Sequence, residues 1–314
     1  MNRTGASKNP PGLSEPPGRR TRVAAQRAAA QRRQVRNRLL IAGGAIVVVV
    51  AIVVGFVVLQ GSHSPTTSSP GSLTGQALTA TVSKVTSVPV SASDSVGAGK
   101  ATTPPVSVSG SPLTADGKPD MTYLGAEYCP YCAAERWAMV VALSRFGAFS
   151  GLETTHSAAK DGSGNAEPYP NTPTWTFANA RFTSRYLAFT PVETNTNVPD
   201  PSTGGYTTLQ TPTKGQEALL TKYDTADQGA IPFIDIDNKY TSVGASYDPG
   251  VLSGLSWSQI AGDLHTPSSP VAQAVLGASN YLTAAICGAT GNQPAAACTP
   301  AVRSLQGKIQ PASH

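Results

Sequence analysis

The sequence is poor in the side chains from which metal sites are built. It has only four His, four Cys and three Met in 314 residues, and the histidines are scattered along the chain. A zinc site beside any cysteine pair needs two further ligands at suitable spacing, and the sequence does not offer them. The shortage of Met and His also disfavours copper delivery. We therefore expect no metal and no organic cofactor.

Charged residues are also scarce, at 13% of the chain, whereas Gly (30) and Pro (26) are plentiful. This composition is typical of ordered and unordered parts joined together. Residues 1–38 hold ten of the 23 Lys and Arg and one of the 18 Asp and Glu, which leaves 13 basic and 17 acidic residues elsewhere, a net charge of about −4. The basic character belongs to this tail, so we expect no nucleic-acid partner for the folded part.

Residues 39–59 form an uncharged apolar run that is rich in Val and Ile. About twenty such residues cross the hydrocarbon core of a bilayer as a helix. Four arginines directly precede the run and the next basic residue after it is Lys84, so the positive-inside tendency places the N-terminus in the cytoplasm. A cleaved signal peptide is the alternative, although its apolar region would be shorter. The arginines could instead bind nucleic acid or anionic lipid.

These features divide the chain into four parts. We predict a basic, largely disordered cytoplasmic tail over residues 1–38, followed by a transmembrane helix over residues 39–60. A Ser/Thr/Pro/Gly linker over residues 61–80 then leads to one extracytoplasmic domain over residues 81–305. The protein would thus be a single-pass plasma-membrane protein, anchored in the lipid bilayer, with its C-terminal domain outside the cytoplasm.

Hydrophobic patterning predicts an α/β domain with a central mixed sheet. Residues 82–90 and 102–112 are rich in Ser, Thr and Pro, and we expect them to form an extended arm packed on this domain. A helix over residues 130–146 begins at Pro130 and ends before a capping Gly147; its apolar residues lie on more than one face, so it should be largely buried. The other predicted elements are strands over residues 121–125, 174–177, 186–192, 231–236 and 239–243, with a turn at residues 237–238, and helices over residues 215–223, 257–264 and 270–286.

The most informative motif is Cys129-Pro130-Tyr131-Cys132, the CPYC motif, which follows a predicted strand and opens a predicted helix. Backbone N–H groups and the dipole at a helix N-terminus stabilise an anion. We therefore expect Cys129, at the exposed tip, to have a lowered pKa and to be the attacking thiolate. Cys132, one turn deeper, would resolve the mixed disulfide. A static structural disulfide between the two cysteines is the alternative interpretation.

Three charged residues bracket the motif, namely Glu127, Glu135 and Arg136. An acid near a resolving thiol could move its proton, and Arg136 could lower a thiol pKa. Glu135 and Arg136 could equally be surface or interface charges on the helix.

The remaining cysteines, Cys287 and Cys298, enclose a turn-prone loop of ten residues near the C-terminus. A structural disulfide between them is expected in an oxidising compartment. The alternative is a second redox pair that relays electrons to the CPYC motif.

The sequence around the motif resembles domain-of-unknown-function family 929, a thioredoxin-like group of membrane-anchored proteins. The resemblance covers roughly residues 80–300 and implies a thioredoxin-like domain with insertions, but no particular reaction. The CPYC motif is also distantly similar to the glutaredoxin active site, although about a hundred residues separate Cys132 from Pro232, far more than in a minimal glutaredoxin. The segments that carry the family resemblance are residues 123–137, 143–147, 169–174 and 231–235 and the Cys287/Cys298 loop.

Pro232 opens an apolar run in Ile231-Pro232-Phe233-Ile234-Asp235. In the thioredoxin fold, a cis-proline at a strand start lies beside the two sulfurs and leaves the preceding backbone free to pair with a substrate peptide. We therefore expect a cis bond before Pro232, although trans is the default for an isolated X-Pro pair.

These observations predict a membrane-anchored extracytoplasmic thiol–disulfide oxidoreductase that acts on secreted or membrane proteins. Its partners would be extracytoplasmic protein thiols or disulfides, together with a membrane redox partner that reoxidises or reduces the motif. The alternative is a non-enzymatic thioredoxin-like binding or scaffold module in which all four cysteines form static disulfides.

The membrane topology can be tested directly. Reporter fusions or cysteine labelling in intact cells should place residue 20 inside and residue 120 outside, because all the basic residues before Lys84 precede the apolar run. The reverse orientation would also remove the argument for an oxidising compartment.

Overall fold

The computed structural model describes residues 71–224 and 229–312. The predicted tail and transmembrane helix therefore lie outside the described residues. Within the described ranges, no helix combines the length and the apolar character needed to cross a membrane. These ranges contain a mixed α/β domain with a mixed sheet, which confirms that part of the predicted fold class.

The described chain contains seven α-helices and twelve strands. The helices are α1 (Gly75–Thr86), α2 (Val90–Val96), α3 (Pro130–Leu143), α4 (Lys214–Tyr223), α5 (Trp257–Asp263), α6 (Pro270–Ala289) and α7 (Pro300–Gln306), with a short 3-10 helix over Pro249–Leu252. The strands are β1 (Val106–Ser107), β2 (Thr114–Ala115), β3 (Lys118–Gly125), β4 (Gly147–Ser150), β5 (Glu153–His156), β6 (Pro173–Thr176), β7 (Arg181–Ser184), β8 (Ala188–Glu193), β9 (Asn195–Asp200), β10 (Gly205–Thr208), β11 (Phe233–Ile236) and β12 (Tyr240–Val243).

The central sheet has the strand order β1-β12-β11-β3-β8, and β2 pairs with the start of β3. Strands β3 and β8 are parallel, from Asp120 opposite Ala188 to Gly125 opposite Glu193. Strand β11 is antiparallel to β3 and also to β12. A parallel pair requires a crossover connection, and here the crossover contains α3 and the small two-stranded sheets β4–β7 and β5–β6.

The turn between β11 and β12 follows from its two central residues. Asp237 and Asn238 have φ angles of 58° and 51°, the left-handed conformation that Asp and Asn tolerate and that a type I′ turn requires. The Lys239 N–H closes the turn on the Ile236 carbonyl at 3.0 Å. The predicted hairpin is therefore confirmed.

The two faces of the sheet are covered by different helices, because successive strand residues point to opposite faces. Tyr123 and Ile234 belong to the large core cluster that includes most of α3 and α6. Leu124 and Phe233 belong to a smaller cluster completed by Leu219 and other residues of α4. Thirteen of the fourteen residues of α3 are buried, which confirms the expectation of a largely buried helix.

The C-terminal end of α3 differs from the prediction. The helix ends at Leu143 with Ser144 as its C-cap, three residues before the predicted end. Gly147 does not cap the helix but begins β4, where it lies opposite Ser184 of β7. Strand pairing therefore determines the conformation of Gly147.

The predicted extended arm is wrong for residues 82–90, which lie mostly in α1 and α2. Helix α1 begins at Gly75, inside the predicted linker over residues 61–80. Val85 is fully buried, so one face of this helix packs against the domain. Burial of that face outweighs the weak preference of Val and Thr for strands.

The domain also extends beyond the predicted boundary at residue 305. The Ser107 N–H of β1 donates to the Gln310 carbonyl at 2.8 Å, and the Ala312 N–H donates to the Ser107 carbonyl at 2.9 Å. The C-terminal residues thereby pair along the outer side of β1.

Cys287 and Cys298 are joined by a disulfide, with their Cα atoms 5.8 Å apart. Both residues are fully buried. Cys287 lies in α6 and Cys298 directly precedes the N-cap of α7, so the bond ties α7 to α6.

Replacing Cys287 and Cys298 with Ala should lower the free energy of unfolding by about 2–3 kcal/mol, because the open chain regains loop-closure entropy. Urea unfolding measures this loss. The Cys129→Ala/Cys132→Ala variant is the control, since it removes two other buried thiols. An equal loss in the control would contradict the assigned role, and peptide mapping that joins Cys287 to Cys129 would instead support the electron relay.

Candidate dithiol site

The CPYC motif lies where the central strand ends and the buried helix begins. Strand β3 ends at Gly125 and α3 begins at Pro130, with Cys129 as the N-cap residue. The Cys129 sulfur accepts a hydrogen bond from the Cys132 N–H at 3.2 Å. Pro130 occupies the first helical position, where a backbone N–H would have no partner inside the helix. The local sequence thus presents the first sulfur at the N-terminus of α3.

The two sulfurs are less accessible than the sequence indicated. Cys129 is 5% exposed and Cys132 is fully buried, whereas Tyr131 is 41% exposed. The expectation that Cys129 lies at an exposed tip is therefore wrong, and Tyr131 is the exposed residue of the motif.

Segments outside the central sheet cover the motif. The Ala158 N–H donates to the Tyr128 carbonyl at 2.9 Å, and the Glu127 N–H donates to the Asn195 carbonyl at 2.9 Å. The Tyr128 ring stacks on the Tyr206 ring, with centroids 4.1 Å apart and an interplanar angle of 8°. These contacts tie the chain before Cys129 to the β5–β6 region and to the β9–β10 hairpin, and Glu127 contributes through its backbone.

The two thiols have opposite pKa shifts. The pKa of Cys129 is lowered, first by its hydrogen bond with the Cys132 thiol, which outweighs the effect of burial. The Cys132 and Tyr131 N–H groups and the charge of Arg136 lower it further. The pKa of Cys132 is raised well above its ordinary value, chiefly by burial. The direction at Cys129 agrees with the prediction, with the partner thiol as its main cause.

The peptide bond between Ile231 and Pro232 is cis, as predicted. The Cys129 thiol lies 3.8 Å from the Ile231 carbonyl oxygen and donates to it. The structure therefore brings Pro232, Cys129 and Cys132 together at one site. Sequence reasoning identified Pro232 but missed the direct contact made by Ile231.

Arg136 is not a surface charge. Its side chain and that of Glu193 are fully buried and form an ion pair of 2.6 Å between Nη2 and Oε2. A second bond of 2.9 Å joins Nε to Oε1, so the pairing is bidentate. Sequence reasoning did not identify Glu193, which ends an apolar run and belongs to no motif. Its role follows only from the β3–β8 pairing.

Glu135 is also fully buried, so the surface interpretation is wrong for this residue too. Its carboxylate accepts from the Ser246 N–H at 2.7 Å and from the Ser246 hydroxyl at 2.9 Å. Burial raises the pKa of Glu135 to about 7, although the Ser246 hydrogen bonds oppose the shift. Glu135 thus anchors α3 to the segment after β12.

A groove of about 710 Å³ lies beside the motif. Leu124, Tyr128, Leu220 and Ile231 form much of its apolar lining, and Glu217 lies on its wall. The groove therefore runs along α4 and reaches the same Ile231 backbone that contacts Cys129. Within the described ranges, no group of three or more His, Cys, Asp or Glu is placed to hold a metal ion.

This geometry defines a dithiol at the N-terminus of a buried helix in a mixed α/β domain. The model of the family described as a domain of unknown function, DUF929, matches residues 104–288, more than half of the chain. The chain therefore belongs to this family, as the resemblance indicated. The comparisons with curated proteins and with solved structures gave no significant match.

The buried carboxyl of Glu135 should make stability fall as pH rises. Its folded pKa of about 7 lies above the ordinary value of 4.5, so its contribution is fully present below pH ~4.5 and is lost as pH rises through ~7. The loss should approach about 3 kcal/mol. Urea unfolding of wild type and Glu135→Gln between pH 4 and pH 8 measures it, and parallel pH profiles would contradict the prediction.

Proposed function

We propose that this protein is a membrane-anchored extracytoplasmic thiol–disulfide oxidoreductase that acts on secreted or membrane proteins. One observation carries the proposal. The Cys129 sulfur, at the N-cap of α3, faces the carbonyl that precedes a cis-proline, and Cys132 lies directly behind it.

A thioredoxin-like fold is part of this proposal. The strands β8-β3-β11-β12 are adjacent in that order, α3 lies in the parallel β3–β8 crossover, and the cis Ile231-Pro232 bond directly precedes β11. A cysteine pair with two residues between its members, beside a βαβ unit, is typical of thioredoxin-like redox proteins. The insertions between α3 and β8 and between β8 and β11 account for the long separation of Cys132 from Pro232.

The reaction begins at the more acidic thiol. The Cys129 thiolate attacks one sulfur of a client disulfide, which forms a Cys129–client bond and releases the other client sulfur as a thiolate. Cys132 then forms a bond to the Cys129 sulfur, and the client leaves as its second thiolate. The client gains two electrons and the motif becomes a disulfide; the reverse sequence oxidises a client dithiol.

The groove beside Cys129 is suited to a client segment next to its cysteine. Its apolar residues include Leu124, Leu220 and Ile231, and the carbonyl of Ile231 contacts the Cys129 thiol. Burial of such surface favours binding by about 25 cal/mol per Å² of apolar area. Tyr131, the exposed residue of the motif, offers a second apolar contact.

The anchoring part of the proposal rests on the sequence before the domain. Residues 39–59 are apolar and uncharged and follow a cluster of arginines. A membrane redox partner would restore the motif after each turnover, since each exchange leaves it in the opposite redox state.

The second candidate is a binding or scaffold module in which the motif is a static disulfide. The low exposure of Cys129, at 5%, favours it, because a nucleophile must be reached by its client. The two candidates differ in whether Cys129 can form a bond to another protein.

The Cys132→Ser variant should accumulate mixed disulfides with client proteins, because no sulfur remains to release them. Non-reducing gels of membranes after rapid acid quenching, followed by mass spectrometry of the adducts, measure this accumulation.

In reduced protein at mildly acidic pH, alkylation should reach Cys129 well before Cys132, because the pKa of Cys129 is lowered and that of Cys132 is raised. The Pro232→Ala variant should change the adduct yield.

The matched control is Cys129→Ser/Cys132→Ser, which retains the fold but has no nucleophile. If Cys132→Ser traps no more protein than this control, and Cys129 titrates near the ordinary value of about 8.5, the scaffold alternative is correct.

A further inference from the structure

Two hydrogen-bond donors are buried close to the resolving thiol without a partner among the described residues. They are Nη1 of Arg136 and the hydroxyl of Tyr123. Both side chains are fully buried. Buried donors almost always have a partner, so these two donors are available to an acceptor that forms beside the dithiol.

The backbone of Ala126 connects Arg136 to Cys132. The Ala126 carbonyl accepts from Nη2 of Arg136 at 2.6 Å, and the Ala126 backbone also hydrogen-bonds to the Cys132 sulfur, which lowers the pKa of that thiol. Cys132 and Arg136 are four residues apart on α3 and therefore lie on the same face of the helix. The guanidinium is thus held on the inner side of the dithiol.

Tyr123 approaches the same place from β3. The guanidinium carbon of Arg136 lies 5.8 Å from the centre of the Tyr123 ring. The Tyr123 hydroxyl lies against Gly125, where even a single added Cβ would overlap it. Gly125 directly precedes Ala126, so the hydroxyl, the guanidinium and the Cys132 sulfur all adjoin the last residues of this strand.

Glu193 fixes the direction of the guanidinium. It accepts from Nε at 2.9 Å and from Nη2 at 2.6 Å, which leaves Nη1 as the nitrogen without a partner. The Glu193 carboxylate also accepts a hydrogen bond from the Phe177 N–H at 3.2 Å, which holds the carboxylate in position. Glu193 is therefore a positioning residue, which acts through Arg136.

We propose that Arg136, oriented by Glu193 and assisted by the Tyr123 hydroxyl, stabilises the Cys132 thiolate that resolves the mixed disulfide. The inference rests on the proposed thiol–disulfide exchange. In the resolving step Cys132 loses its proton to solvent, its sulfur bonds to the Cys129 sulfur, and the Cys129–client bond breaks. The client leaves as a thiolate and takes up a proton from solvent. One proton therefore moves, through solvent, from Cys132 to the client.

Stabilisation by Arg136 is needed because Cys132 is buried. Burial disfavours the Cys132 thiolate, yet the resolving step requires it. The titratable groups that face Cys132 are Cys129 and Arg136 on α3 and Tyr123 on β3, with Glu193 on β8 behind Arg136. Of these, Arg136 alone carries a positive charge. The neighbouring carboxyl of Glu135 is instead bonded to Ser246.

The two exchange steps can be separated with the small aryl disulfide 5,5′-dithiobis(2-nitrobenzoate). Attack by Cys129 releases a first thionitrobenzoate, and attack by Cys132 on the mixed disulfide releases a second. The sample is the full-length, detergent-solubilised protein with its CPYC motif reduced. Stopped-flow absorbance of the released thionitrobenzoate gives both rates as a function of pH. The variants are Arg136→Lys, Arg136→Met/Glu193→Gln and Tyr123→Phe.

Removing the charged pair should slow the second release ~10-fold at neutral pH and move its pH midpoint upward by about one unit, because a nearby opposite charge lowers a pKa by about that much. Arg136→Lys retains the charge and should stay closer to wild type. Tyr123→Phe removes only an unpartnered hydroxyl, so it should fold normally and show a smaller shift in the same direction.

A purely structural role would lower the unfolding temperature of Arg136→Met/Glu193→Gln but leave the pH midpoint of the second release unchanged in all three variants. That result would overturn the inference, and if the double variant does not fold, an unchanged midpoint in Tyr123→Phe would do so. Absence of a second release from the wild-type protein would contradict the exchange function itself, and the inference with it.

Discussion

The buried ion pair between Arg136 and Glu193 joins the helix that carries the dithiol to the strand that completes the parallel part of the sheet. Two charges removed from water cost several kcal/mol each, and only good geometry with further hydrogen bonds offsets that cost. Here the pair is bidentate, and the Ala126 carbonyl and the Phe177 N–H supply the additional bonds. Loss of one partner would leave an uncompensated buried charge, at a cost of about 3–5 kcal/mol. The position of α3, and with it the position of both sulfurs, depends on this ion pair.

Segments outside the central sheet cover this dithiol. Tyr128 stacks on Tyr206, whose hydroxyl donates to Glu167 at 2.6 Å, and Tyr131 meets Tyr169 edge to face with ring centroids 6.1 Å apart. Aromatic pairs of this kind contribute about 0.5–1.5 kcal/mol beyond the area that they bury. Together they hold the inserted segments over the chain that flanks Cys129. A dithiol covered in this way should be selective, because a flat protein surface cannot reach its sulfur as easily as an extended segment can.

The sequence was sufficient to predict those features that depend on neighbouring residues. The order of strand, CPYC motif and helix and the tight turn at Asp237 depend on residue types in short stretches of chain. The cis bond before Pro232 was instead expected from the resemblance to the thioredoxin fold. Prediction failed where contacts between residues far apart in the sequence determine the structure. The sequence left open whether Arg136 is a surface charge or lowers a thiol pKa, because its partner, Glu193, lies 57 residues away. The residue types around Val85 predict an extended arm, because only packing against the domain shows that one face of this stretch is buried.

The pairing of the C-terminal residues with β1 has a consequence for how the domain meets other proteins. An uncovered strand at the edge of a sheet offers unpaired N–H and C=O groups on which another chain can build a further strand, and so leads to aggregation. At Ser107 the chain's own residues from Gln310 to Ala312 take up those groups. This edge of the sheet is therefore closed to strand addition between neighbouring molecules.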